Sequence, residues 1–189
     1  MTITLGTKEI ELEYITINQY REMEKNPEMT DIDFISFITG LPMKDLRDVE
    51  LNQISFVAKF LRTWVNSLQK TPLSLTREYK GQTLGLLSPV SMTYGEHTDL
   101  HTLLSQKPIN FDMVSSILYR PVIEGEGEDR KVVKYDYDEC KERAKDMGEF
   151  PINDYISALF FLTKFSEIQL EDFRLFMENR LKKVRMTEE

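Results

Sequence analysis

From Ile54 to Leu68 the apolar residues follow a helical repeat. Ile54, Val57, Ala58, Leu61, Val65 and Leu68 form one face, and Phe56, Phe60 and Trp64 widen it beyond what a single packing neighbour requires. A helix that is apolar on more than one side either lies at the centre of a fold or keeps surface for a partner. We read this segment as the central helix of the core, ending before Thr71-Pro72. Phe56, Phe60 and Trp64 are candidate protein-binding residues, together with Phe173 and Phe176 from a second aromatic-rich run, Phe160 to Phe176.

Around this helix the punctuation is that of an α+β chain, predominantly helical with two short β-hairpins or ribbons. Ile3 and Leu5 alternate before Gly6-Thr7-Lys8, and Ile10, Leu12 and Tyr14 after it, as in a hairpin closed by a glycine turn. Asn18 is the expected cap of a helix stopped by Asn26-Pro27. Thr30 and Asp31 open the next helix, with Ile32, Phe34, Ile35 and Ile38 inward and Gly40 as its stop. Asp45 to Glu50 is expected as a single turn. Lys80-Gly81 suits a two-residue hairpin turn between Leu73, Leu75 and Tyr79 on one side and Leu84 on the other.

Helical spacing resumes after Ser88-Pro89, with Met92, Leu100, Leu103 and Leu104, and again from Phe111 to Tyr119, where Pro121 is expected to close the element. Residues 124–131 hold two glycines and no apolar side chain, so they form a mobile acidic loop or the tip of a ribbon. Asp136 or Asp138 caps a helix through Met147, Asn153 starts another, and a last amphipathic helix spans Gln169 to Lys183. No repeat and no linker divides the 189 residues, which read as a single domain.

The net charge is −8, and residues 1–50 alone carry eleven acidic and five basic side chains. That balance repels phosphate backbones and anionic lipid, and disfavours nucleic-acid and membrane partners. The tight basic cluster Arg180, Lys182, Lys183 and Arg185 suits the end of a helix. One cysteine, Cys140, allows neither an internal disulfide nor a Cys-rich zinc site. No signal-peptide pattern and no long apolar run is present, so the expectation is a protein of a reducing compartment.

Candidate chemistry is sparse. His97 and His101 stand at i and i+4 and could share a divalent ion, the basis of a metal-dependent hydrolase as an alternative reading. Thr98 follows His97 where a zinc protease would have its glutamate, and the chain has no third histidine. Cys140 reads as a small packed side chain, and Asp31/Asp33 and Asp136/Asp138 as helix-start acids. No phosphate-binding glycine motif occurs among Gly81, Gly85, Gly125 and Gly127. These residues predict no enzyme, no cofactor and no metal.

The order of the segments carries a resemblance. A glycine-turn hairpin, Ile38-Thr39-Gly40-Leu41-Pro42, the Tyr79-Lys80-Gly81 ribbon, Tyr94-Gly95-Glu96-His97-Thr98-Asp99-Leu100, Ile117-Leu118-Tyr119-Arg120-Pro121, Tyr135-Asp136-Tyr137-Asp138 and Ala158-Leu159-Phe160-Phe161 follow one another along most of the chain. In this it resembles the small proteins of tailed bacteriophages that serve as tail assembly chaperones or as virion structural proteins. The resemblance implies a non-catalytic protein of the host cytoplasm that binds the apolar helices of a tape-measure protein while tail-tube subunits assemble around them. The alternative it implies is a virion component of the neck, baseplate or capsid, in which self-association into a homo-oligomer would also be expected. The family supplies no functional residue that can be placed on this sequence.

Overall fold

A computed structural model describes residues 1–68, 71–167 and 171. Phe173, Phe176, the basic cluster and nearly all of the expected helix from Gln169 to Lys183 lie outside the described residues. The fold is α+β: helices with two small antiparallel sheets.

The first sheet is the hairpin of β1 (Thr2–Leu5) and β2 (Lys8–Glu11), in which Ile3 faces Ile10 across the ladder. Helix α1 (Ile17–Lys25) starts earlier than expected. Thr16 is its cap, accepting from the Gln19 backbone N–H, and the Gln19 side chain accepts from Thr16 N–H in return. This reciprocal pair satisfies two orphan donors, and leaves Asn18 free to bond Glu149 at 2.9 Å. Helix α2 (Asp31–Thr39) has the expected limits: the Thr30 hydroxyl caps Asp33 N–H, and Gly40 takes the left-handed conformation at φ 71°. One turn, α3 (Met43–Leu46), precedes the long α4 (Leu51–Ser67).

The second sheet has the order β3–β4–β5–β6, formed by Thr76–Tyr79, Gln82–Leu86, Tyr119–Glu124 and Lys131–Val132, all antiparallel. Lys80 and Gly81, at φ 47° and 75°, make the turn between β3 and β4, the pair of positive φ values that suits a two-residue hairpin. β5 corrects the expectation that Pro121 closes a helix. Helix α6 (Phe111–Leu118) passes directly into the strand, where Pro121 pairs with Leu84 and its carbonyl accepts from Val133 N–H at 2.9 Å. Residues 124–131 are accordingly the tip of the β5–β6 ribbon.

Between β4 and β5 come a short turn at Pro89–Ser91, α5 (Tyr94–Leu104) and α6. Helix α7 (Tyr137–Ala144) is capped by Asp136 and ends before the expected Met147. Helix α8 covers residues 152–167. The core is one cluster to which β1, β4 and the helices all contribute. Its central helix is α6, in which all residues from Met113 to Leu118 are buried. The expectation that α4 fills that place is overturned: α4 buries one face, Ile54, Val57, Ala58 and Leu61, and packs chiefly on α2.

Candidate functional site

The one-sided burial of α4 decides where its aromatic residues go. Residues four apart on an α-helix are offset by about 40° around the axis. Phe56, Phe60 and Trp64 therefore form a ridge that winds from the solvent side toward the core. Phe56 is 71% exposed and Phe60 45% exposed, whereas Trp64 is partly buried against the core cluster. The ridge is continuous but only its first two rings are open. Beside the ridge on the solvent side stand Ser55, Lys59 and Thr63, and α4 contains no acidic residue. Arg62 stands off the ridge, its guanidinium 4.3 Å from the centre of the Phe34 ring on α2 and its Nη2 donating to the Met29 carbonyl at 3.0 Å. That contact anchors α4 to α2 and holds the exposed rings on a fixed support.

The other candidates resolve differently. His97 and His101 are both exposed on α5, their rings near-parallel with centroids 6.5 Å apart. They border a mostly apolar cleft of about 240 Å³ between α5 and α8, opposite Leu159 and Leu162. Among the described residues no group of three or more His, Cys, Asp or Glu could hold a metal ion. Cys140 is buried, and desolvation pushes its thiol up from the ordinary value, against a smaller opposing pull from Arg143. A thiol held protonated is a poor nucleophile. Asp31 and Asp33 sit in the first turn of α2, and Asp136 and Asp138 at the start of α7, where helix geometry accounts for them.

Two ion pairs, one partly buried and one buried, had no signal in the sequence, because their partners are far apart along the chain. Arg77 on β3 grips Asp154 on α8 through two hydrogen bonds, 2.6 and 3.0 Å long. Arg120 on β5 donates from Nη2 to Glu96 Oε1 at 2.6 Å, with both side chains almost wholly buried. Glu96 is also the third residue of α5, and its other oxygen accepts from Thr93 N–H at 2.5 Å in a capping box. One carboxylate thus closes a helix start and neutralises an arginine of the sheet. No described helix is long and apolar enough to cross a membrane. Comparison with protein-family models, with curated proteins and with solved structures finds no match.

Proposed function

We propose that the protein is a non-catalytic binding protein whose α4 ridge receives an apolar helix of another protein, in the role of a tail assembly chaperone receiving the helices of a tape-measure protein. The observation that carries this reading is the pair of open rings, Phe56 and Phe60, one helical turn apart on a helix whose opposite face is fixed in the core. Rows of residues four apart are the ridges that interdigitate when two helices pack, so the shape suits a helical occupant. The lack of acidic residues on α4 suits an apolar or acid-flanked partner. The phage assignment itself rests on the resemblance in segment order.

The test is co-expression with the genes that neighbour its own, capture on the tagged protein, and mass spectrometry of what is retained. The expected partner is a long helical protein, and its recovery should fall at least tenfold when Phe56→Ser and Phe60→Ser are combined. Capture of only a ring-forming structural protein would move the assignment to a virion component. Undiminished capture by the double variant would remove α4 from the binding surface.

A further inference from the structure

A cleft of about 650 Å³ opens between the β4–α5 connection and the segment that leads from β6 to α7. Its volume is within the range of small-molecule sites, roughly 300–1,000 Å³. Arg120, Arg130, Lys131 and Lys134 line it, against the single carboxylate of Glu96. Four cations and one anion give the wall a formal charge of +3, in a chain whose net charge is −8. Apolar Ile123, Val132 and other side chains make up much of the remaining surface.

The cations are under-occupied. Of the N–H donors on the Arg120 guanidinium, the structure engages Nη2 with Glu96, and Nε is buried without an acceptor. Arg120 is itself 2% exposed, and a buried charged donor left unpaired is costly. Arg130 bonds only carbonyls, those of Leu86 and Gly127. Among the described residues neither Arg130 nor Lys134 has a carboxylate at ion-pair distance. Lys131 meets Glu124 at 2.7 Å in a pair exposed on both sides, which water and salt weaken.

Arg130 is also built in. Its side chain crosses β4 at Gly85, where a Cβ would stand 3.0 Å from Arg130 Cδ and 2.9 Å from both Val122 and Val132. Tyr135 borders the cleft 5.9 Å from the Arg120 guanidinium, its hydroxyl donating to Asp99 at 2.5 Å. The rear wall is therefore braced, while the exposed lysines stand at the mouth.

We infer that this cleft binds a small organic molecule carrying a doubly charged oxyanion, a phosphate monoester or a dicarboxylate, with its charge toward Arg120, Arg130 and Lys134 and its apolar body toward Ile123 and Val132. A dianion offsets most of the surplus charge, and a guanidinium presents paired N–H donors to either oxyanion. The site is separate from the α4 ridge and does not depend on the function assigned to it.

The experiment is calorimetric titration of the intact protein with phenyl phosphate, with phthalate and with inorganic phosphate, at low and moderate salt. The expected result is saturable binding of phenyl phosphate or phthalate, tighter than that of inorganic phosphate, with the better of the two identifying the oxyanion. The double variant Lys131→Gln/Lys134→Gln changes exposed side chains, so it should fold normally and lose about tenfold in affinity. Amide and arginine side-chain NMR gives an independent readout, in which the Arg120 Nε–H signal should move on binding. Absence of saturable binding by all three probes would overturn the inference, as would binding that neither the double variant nor the Arg120 signal registers.

Discussion

Asp154, at the start of α8, accepts both Nε–H and Nη2–H of Arg77, so the last described helix is tied to the first strand of the four-stranded sheet by a two-pronged contact. Asp154 is 1% exposed at its side chain and Arg77 24% exposed. Asp154→Asn keeps the volume but removes the charge and one acceptor. It should cost about 2–3 kcal/mol, below the full range for a sealed pair because Arg77 keeps access to water. Urea unfolding checks this, and a change within experimental error would mean that the pair contributes nothing net.

Glu96 and Arg120 are sealed more completely, so removing either should be more damaging. Arg120→Met alone leaves a buried carboxylate and should destabilise by about 3–5 kcal/mol. Combining it with Glu96→Gln should recover part of that loss, since no unpaired charge remains. A double-mutant cycle in urea measures the coupling, and additive losses would show that the two side chains act independently.

The two faces of α4 should separate stability from binding. Leu61→Ala, at a site with 0% exposure, should cost about 2–5 kcal/mol. Phe56→Ser should stay within about 0.5 kcal/mol of the native protein, as expected for a surface position. Thermal and urea unfolding of the two variants test the contrast, and comparable losses would place Phe56 in the core.

Stability should decline in alkali. Burial, and then the charges of Glu149 and Asp146, push the Tyr79 hydroxyl up to about 12 from its ordinary 10.0. The neutral phenol is thus favoured in the folded state. Its contribution is complete below the unfolded value near 10 and is lost as pH rises toward the folded value. Tyr79→Phe should flatten the fall in stability across that window. Urea midpoints between about pH 9 and 12 measure it, and an unchanged slope would assign the fall to other tyrosines.

Local chemistry was readable wherever a turn or cap is fixed by one or two residues, as at Thr30, Gly40, Lys80-Gly81 and Asp136. It is also present in Thr16 and Gln19, whose spacing is that of a capping box. β5 was hidden because Tyr119 continues the apolar Ile117-Leu118 of α6, and because proline usually ends a helix instead of joining a sheet. The ring positions on α4 were legible as candidates, but which of them open to solvent depends on where α2 packs. The cationic cleft could not be read from the sequence at all: Glu96, Arg120 and Lys134 meet only through the sheet.

The bond between Asn18 and Glu149 belongs to a longer seam. Ile17 N–H donates to the Phe150 carbonyl at 3.0 Å, Ile152 N–H donates to that of Ile15 at 2.8 Å, and a Cβ at Gly148 would overlap the Asn18 side chain. These contacts join segments about 130 residues apart, so they can form only after the intervening chain has been synthesised. During translation, the start of α1 must wait for its final neighbour while the β1–β2 and β3–β4 hairpins can already pair. Contacts of such long range slow folding through the loop they must close. A nascent chain from which residues 148–152 have not yet emerged should therefore show early hairpins with an unprotected α1, which their emergence encloses.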